Sequence, residues 1–383
     1  MILYLSSVAP FDIFNELLSE GRIKTGHQAQ KFNHLLIEGL AKNVQVAAIS
    51  NLPIEPNMHY VGGQYKRENI QYYLIPSKKN RIQRKVSNVF SFRKYARRIF
   101  QTQDVEAIIC DAINLGASAT AHWCARKYNV PIIAIVTDVP EIMSKGNMNA
   151  LMKYDARLMK RYDGYVLLTK PMEKIVNVSK CPQIIMEGSS VVNSPLNVIK
   201  DNNPKICLYT GSICKDIGLE QLIEAFSSER ISNAELQIYG NGPWVNDLED
   251  LISNINKIKY CGVLTNEEIM KRQAQADLLI NPRPSNIHYA KYSFPSKLIE
   301  YLGTGTAVLS TKLPGIPEDY EPYLYWIEDE SIDGFIKSIN NALHDPNRDN
   351  FGKKAREYVI LNKSNEIQAK RVLDLISIVR NGN

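Results

Sequence analysis

The stretch Tyr292–Gly305, YSFPSKLIEYLGTG, combines a helix start, an apolar helix face and two glycines that can end the helix. Pro295 lacks a backbone N–H and disfavours helix in the residue before it, so a helix is expected over 296–303, with Ser296 able to cap it. The glycines then stop the helix and lead into a strand over 307–310. The stretch therefore predicts a helix start that faces a ligand.

The start of this predicted helix suits a phosphate group. The N–H groups of Ser296–Leu298 carry roughly half a positive charge, and Lys297 adds a full charge beside them. Glu300 lies about 5–6 Å further along the same face, where a carboxylate can accept hydrogen bonds from two sugar hydroxyls. The alternative is an ordinary polar helix start with a solvated glutamate, since one such helix start is a weak signal.

Apolar runs alternate with helical patterns along the chain. The first half has a helix pattern over His27–Asn43 and strand patterns at Ile2–Ser6, Val44–Ser50, Ile70–Ile75, Ala107–Asp111, Pro131–Val136, Gly164–Thr169 and Gln183–Glu187. The second half has strand patterns at Lys205–Tyr209, Glu235–Tyr239, Ile258–Cys261, Asp277–Asn281, Ala307–Ser310 and Tyr323–Ile327, and helix patterns at 218–228, 243–254, 266–275, 296–303 and 332–343. Two successive βα series predict an α/β protein with two doubly wound domains and a cleft between them.

The pattern lapses into Ser-, Asn- and Pro-rich sequence before it restarts, which predicts a linker over 191–204. The N-terminal domain is then 1–190 and the C-terminal domain is 205–362. A C-terminal helix over 363–383 can cross back to the N-terminal domain.

The composition sets limits on the class of protein. With 383 residues, 44% of them hydrophobic, the chain is long enough for two domains with full cores. Its six cysteines form no C-x-x-C pair, which argues against a zinc site and a disulfide framework and indicates a reducing compartment. We expect neither a signal peptide nor a membrane span.

Charge is distributed unevenly along the chain. Residues 1–180 contain 25 Lys and Arg against 14 Asp and Glu, a net of +11, and the total of +6 leaves −5 for the remainder. The segment Lys78–Phe100 alone contains nine basic residues and no acidic one, with Ile82, Val86, Val89 and Phe90 on one helical face. This pattern favours an anionic membrane surface over nucleic acid. The alternative is a helix whose apolar face packs on the sheet while its charges meet only water.

The C-terminal half resembles the retaining family-4 glycosyltransferases, which have the GT-B fold of two facing Rossmann-like domains. The resemblance rests on ordered motifs, namely Tyr209–Ser212 with Gly218–Ala225, Ile238–Pro243 (IYGNGP), Tyr260–Leu264, Asp277–Pro284, the opening stretch and Leu313–Glu318 (LPGIPE). It spans about 205–320 well, and the N-terminal half more weakly through Gly26–Gln30 and Thr137–Pro140. The PSKLIEY sequence is similar to a branch that builds cell-surface polysaccharides on lipid carriers.

The chain also departs from the family pattern. The family commonly has glutamate at both ends of an E-x7-E element, but here Tyr292 holds the first position and only Glu300 remains. Ser212 and Ile217 stand where the family commonly has Arg and Lys, and Thr137 stands where many members have His. We interpret these changes as features of the branch.

The resemblance implies a retaining, hexosyltransferase-like enzyme of polysaccharide biosynthesis. It would move a sugar from a nucleotide-diphosphate sugar to a lipid-linked or saccharide acceptor, with the C-terminal domain binding the sugar donor and the N-terminal domain the acceptor. The expected location is the cytoplasmic face of the membrane, with peripheral attachment and no nucleic-acid partner. The alternative is a catalytically inactive nucleotide-sugar-binding or assembly partner, which the departures at Tyr292, Ser212 and Ile217 suggest.

The leaving diphosphate requires positive charge. The chain has no D-x-D tripeptide, so we expect no metal or other cofactor and assign the charge to Lys215, Arg283 and Lys297. For Lys215 and Arg283 the alternative is a solvated loop cation. Asp138 is the N-terminal catalytic candidate, or else a cap for the segment that follows it.

The remaining candidates are binding residues. Those for the sugar donor are Gly211, Ser212, Gly240, Gly242, Phe294, Pro295, Ser296, Lys297, Leu298 and Glu300. The glycines fit a close approach of backbone to nucleotide, although glycine after a strand is also an ordinary turn residue. Gly26 and His27 are the acceptor candidates, and for His27 a structural role is the alternative.

Overall fold

A computed structural model describes residues 1–23, 28–56, 58–144, 146–191 and 200–382. The chain divides into two compact units, of which the first comprises Met1–Val191 and Ser364–Asn383 and the second Val192–Lys363. Among the described residues, no helix is both long enough and apolar enough to cross a lipid bilayer.

The first unit is built on an eight-stranded sheet in the order β3-β4-β2-β1-β5-β6-β7-β8. Its strands are β1 Ile2–Ser6, β2 Val46–Ser50, β3 Gly63–Arg67, β4 Ile70–Leu74, β5 Ala107–Asp111, β6 Ile132–Val136, β7 Gly164–Leu167 and β8 Gln183–Ile185. All neighbours are parallel except β3 and β4. Every residue of β1, β2, β5, β6 and β7 is buried, because helices cover both faces of a parallel sheet.

Eight helices accompany this sheet among the residues described. They are α1 Phe11–Ser19, α2 Gln28–Ala41, α3 Arg81–Thr102, α4 Leu115–Tyr128, α5 Pro140–Met143, α6 Ala150–Met159, α7 Glu173–Val176 and the last helix of the chain, α14 Asn365–Gly382. Helix α14 packs on α2, and α3 packs on α4. Val372, Leu375 and Ile376 of α14 belong to the same hydrophobic core as β1 and β2.

The second unit has a six-stranded sheet, entirely parallel, in the order β11-β10-β9-β12-β13-β14. The strands are β9 Lys205–Ser212, β10 Ala234–Asn241, β11 Ile258–Tyr260, β12 Leu278–Asn281, β13 Val308–Thr311 and β14 Tyr325–Ile327. The helices are α8 Leu219–Ser227, α9 Val245–Ile252, α10 Asn266–Gln275, α11 Lys297–Thr304, α12 Ile332–His344 and α13 Arg348–Lys363. The predicted class, two doubly wound Rossmann-like α/β domains, is confirmed.

Element bounds differ from the predicted ones mostly at their ends. The antiparallel strand β3 was not predicted, because its exposed polar sequence GQYKR lacks the apolar signal of a buried strand. Strand β9 extends to Ser212, which was expected in the following loop. Helix α11 begins one residue later than predicted, and Ser296, with helical angles of φ −53° and ψ −27°, makes no side-chain cap hydrogen bond. The capping prediction for Ser296 is therefore wrong.

Candidate functional site

The candidate site lies at the carboxyl ends of β9 and β12 in the second unit. From β9 the chain runs to β10 and β11 on one side and then crosses to β12 on the other, so the sheet has its topological switch point between β9 and β12. Open α/β sheets bind ligands at this position. The end of β9 contributes Thr210, and Arg283 follows the end of β12.

A hydrogen-bond network joins the first turn of α11 to this point. Lys297 Nζ donates to Thr210 Oγ1 at 3.3 Å. Gln273 Nε2, from α10, donates to Thr210 Oγ1 at 3.2 Å and to Glu300 Oε1 at 3.0 Å. The network therefore holds the cation and the carboxylate that were predicted to bind phosphate and ribose, and both side chains remain partly exposed.

Tyr301 fixes α11 against β9. Its hydroxyl accepts from Thr210 N–H at 2.8 Å and donates to the Thr210 carbonyl oxygen at 3.1 Å. Burial raises the pKa of Tyr301, so the phenol stays neutral and can donate and accept at once. The start of α11 is thereby held at a set distance from the end of β9.

Gln273 is fully buried, and a second set of bonds holds its backbone. Thr306 Oγ1 donates to the Gln273 carbonyl oxygen at 2.9 Å and accepts from Lys200 Nζ at 2.9 Å. Burial lowers the pKa of Lys200 to about 8. The side-chain oxygen of Gln273 is buried with no hydrogen-bond partner among the described residues. Gln273, Thr210 and Tyr301 were not predicted as site residues, and Gln273 precedes Glu300 by 27 positions.

The helix start offers fewer N–H groups than predicted. Leu298 N–H donates to the Pro295 carbonyl oxygen at 2.8 Å, and the Leu298 side chain is fully buried. Phe294 is also buried and packs on Tyr320, with ring centroids 5.4 Å apart. The side chains of Leu298 and Phe294 therefore pack in the interior, and their contact with the sugar donor stays a prediction. Pro295 is buried as well and closes the first turn through its carbonyl group.

The two loop cations differ in how firmly they are held. Arg283 donates through Nη1 to Ser293 Oγ at 3.1 Å and stacks on Tyr289, with the guanidinium carbon 5.1 Å from the ring centroid. Its Nε is buried without a hydrogen-bond partner in the described part of the chain. Lys215 is exposed, in a short 3-10 turn, with Nζ 6.0 Å from the Trp244 ring centroid. Arg283 is therefore an oriented cation, whereas Lys215 fits the solvated alternative.

The glycines of the site serve the packing of the chain itself. A Cβ on Gly240 (φ +142°) would collide with the carbonyl oxygen of Gly211, its partner in the β9–β10 pair. A Cβ on Gly242 would collide with the Ile213 carbonyl oxygen, and one on Gly211 with the Tyr209 hydroxyl. Packing within the chain is therefore enough to require these glycines, and their close approach to a nucleotide stays a prediction. Ser212, at the end of β9, is exposed, and its Oγ lies 3.3 Å from Cys214 Sγ.

The first unit has a polar edge of its own at the carboxyl ends of β1, β2, β5 and β6. Asp138 follows β6 and is exposed, and Val139 is the N-cap residue of α5, so the capping alternative for Asp138 is not supported. Asp111 ends β5 and is buried, which raises the pKa of its carboxyl group to about 7. Asn114 Nδ2 donates to Asn51 Oδ1 across this edge.

Two predicted candidates cannot be placed. Gly26 and His27, the acceptor candidates, lie outside the described residues. Within the described ranges, no three His, Cys, Asp or Glu side chains converge in a group that could hold a metal ion.

Residues 197–358 match the family described as “Glycosyl transferases group 1”. Similar solved structures include a sucrose-phosphate synthase from Thermosynechococcus elongatus, at 14% identity, a TM-score of 0.73 and 100% coverage of both chains. The Anabaena protein HepE, solved with UDP and glucose, is 13% identical with a TM-score of 0.65, covering 98% of this chain and 99% of that one. The lipopolysaccharide outer core galactosyltransferase WaaB is 12% identical with a TM-score of 0.63, with 98% of each chain covered. No curated protein matches by sequence.

The class of the protein follows from the fold together with the family match. Two Rossmann-like units with a group 1 domain in the second support a GT-B glycosyltransferase.

Proposed function

We propose that the protein is a retaining glycosyltransferase that moves a sugar from a nucleotide-diphosphate sugar to a lipid-linked or saccharide acceptor in polysaccharide biosynthesis. The second unit binds the sugar donor, and the first unit binds the acceptor at the edge that carries Asp138. The enzyme works without a metal ion, attached peripherally to the cytoplasmic face of the membrane.

One observation carries the proposal. Lys297 and Glu300 lie on the first turn of α11 and are both hydrogen-bonded into one network, at the switch point of the sheet. A cation suits a diphosphate, and a carboxylate suits the paired hydroxyls of a ribose. Arg283, oriented by Ser293 and Tyr289, supplies a second fixed charge for the leaving diphosphate.

Retention, the polysaccharide role and independence of metal are inferred from the sequence. Retention and the polysaccharide role come from the resemblance of the PSKLIEY stretch and its flanking motifs. Independence of metal comes from the absence of a D-x-D tripeptide, so the protein cations must balance the diphosphate charge. UDP is the first nucleotide to test, because HepE was solved with it.

The experiment is a panel of nucleoside diphosphates and nucleotide sugars screened for thermal stabilisation, followed by donor hydrolysis with each ligand that binds. We expect at least one nucleotide sugar to raise the melting temperature and to be turned over in excess chelator. Stabilisation by none of them would overturn the proposal. Turnover lost in chelator and restored by magnesium or manganese would overturn metal independence alone.

The second candidate is an inactive nucleotide-sugar-binding partner. Tyr292 replaces the first glutamate of the family element, and Lys291 Nζ lies 5.0 Å from its ring centroid. Binding of a nucleotide sugar without hydrolysis or transfer, with acceptor extracts present, would favour this candidate over the enzyme.

A further inference from the structure

Helix α3 has a buried face and a solvent face, which the exposure of its side chains distinguishes. Phe92, Ala96 and Ile99 are almost fully buried and pack the helix on the first unit. Val86 and Phe90, which the sequence placed together on the apolar helical face, have 55% and 68% of their surface exposed. The alternative in which these two side chains pack on the sheet is therefore wrong.

The solvent face continues from these apolar side chains into basic ones. Val86, Phe90, Lys94 and Arg97 follow one another at intervals of three and four residues, so they form one stripe along the helix. Lys94 and Arg97 are exposed, as is the adjacent Arg98. A groove of about 490 Å³ runs beside the apolar end, lined by Pro76, Lys78, Gln83, Val86, Ser87, Phe90 and Ser91.

Helix α4 adds a further cation, Lys127, and an aromatic ring that it shares with two cations of α3. Arg93, Arg97 and Lys127 surround the ring of Trp123, at 5.5, 5.1 and 5.1 Å from its centroid. Neither α3 nor α4 contains an acidic residue. In the part of the chain that the structure describes, none of these cations has an acidic partner within ion-pair distance. The surface therefore concentrates positive charge that the protein itself does not neutralise.

Arg84 does not belong to this surface. Its guanidinium donates to the carbonyl oxygens of Lys78, Ile54 and Glu55, at 2.7, 2.6 and 3.2 Å, and so ties the start of α3 to a neighbouring loop. Removing Arg84 would change folding as well as charge, and it is left out of the test.

We infer that the outer face of α3 and α4 docks on an anionic lipid bilayer, with Val86 and Phe90 inserted among the acyl chains and Lys94, Arg97, Arg98 and Lys127 at the headgroups. Charge complementarity selects this occupant: cations attract anionic headgroups, while two exposed apolar side chains beside them gain from an apolar phase. A nucleic-acid backbone would match the cations and leave Val86 and Phe90 in water. The inference rests on the proposed function for its purpose, since a lipid-linked acceptor must be reached at a membrane.

The experiment measures co-sedimentation of the full chain with vesicles of phosphatidylcholine alone or with 30% phosphatidylglycerol. Wild type is compared with Lys94→Gln/Arg97→Gln/Arg98→Gln and with Val86→Ser/Phe90→Ser. The matched controls are Lys353→Gln/Lys354→Gln/Lys370→Gln and Val263→Ser/Leu361→Ser, whose targets are exposed elsewhere. All variants are first checked for an unchanged melting temperature.

We expect binding to the anionic vesicles only, weakened about tenfold or more by either α3 variant and unchanged in both controls. At high salt, where the Debye length falls to about 3 Å, the charge variant should bind vesicles as wild type does. The apolar variant should still bind more weakly than wild type. Equal binding of wild type and both α3 variants would overturn the inference, as would tight binding of an oligonucleotide that competes with the vesicles. Thermal stabilisation by nucleotides is measured in parallel. If no nucleotide stabilises wild type while the vesicle results are as expected, the proposed function alone is contradicted.

Discussion

Gln273 Nε2 lies 3.0 Å from Glu300 Oε1, so a fully buried amide from α10 orients the carboxylate that we assign to the ribose. The orientation of this amide is determined by charge. Rotating it would place Gln273 Oε1 against the carboxylate, and two acceptors would face each other in a buried site. If Glu300 and Lys297 bind the sugar donor as proposed, Gln273 is a positioning residue that acts through Glu300 and, by way of Thr210, through Lys297.

Replacing Gln273 with glutamate should make nucleotide binding depend on pH. Two carboxyl groups at this distance cannot both ionise without cost, so the pKa of the pair rises and one proton is shared. The affinity of the variant for nucleotide should be closest to that of wild type at low pH. It should fall as pH rises, because the shared proton is then lost. Calorimetric titration of the bound nucleotide at pH 5.5 and 8 checks this. Gln275→Glu, exposed on the same helix, is the control and should follow wild type.

Glu300→Gln should keep the fold and weaken nucleotide diphosphate binding. The change replaces a charged acceptor of two hydroxyls with a neutral amide, and hydrogen bonds to a charged group contribute about 1.5–3 kcal/mol. The dissociation constant should therefore rise by roughly 10- to 100-fold. Glu224→Gln, an exposed change on α8, serves for comparison. An unchanged dissociation constant would remove Glu300 from the site.

Gly240→Ala should destabilise the second unit by at least about 2 kcal/mol, because the new methyl group collides with the Gly211 carbonyl oxygen and the strands must separate. Gly262 provides the comparison, since it has a positive φ of +73° but no atom within 4 Å of its Cβ position. Gly262→Ala should cost only the backbone strain, about 1 kcal/mol. Urea denaturation measures both, and equal losses would contradict the steric argument.

Asp111→Asn should flatten the pH dependence of stability. Burial raises the pKa of Asp111 to about 7 from an ordinary value of 3.8, so the folded state keeps a proton that the unfolded chain releases between those values. The free energy of unfolding of the wild type therefore falls as pH rises from about 4 to 7, because only the unfolded chain releases this proton in that range. The unfolding free energy of the variant minus that of wild type should therefore be at least about 1 kcal/mol larger at pH 8 than at pH 5. Asp104→Asn, at an exposed position, should show no such gain.

The sequence predicted the candidate site in part. Lys297 and Glu300 could be found because the stretch that carries them is continuous, and helical spacing alone places them on one turn. Leu298 and Phe294 were assigned to the sugar donor from the same stretch, yet both are buried. A pattern of apolar spacing identifies a helix but does not tell which side chains its neighbours cover.

The sequence by itself determined the two βα series, the helix after Pro295 and the excess of basic residues in the first half, because periodicity, proline and charge act locally along the chain. Only the tertiary structure decided that Gln273 and Thr210 reach Lys297 and Glu300, and that Val86 and Phe90 of α3 face solvent. The physical reason is that these contacts depend on strand order and on which surface each helix buries. Both are set by packing between segments distant in sequence, and no local pattern records them.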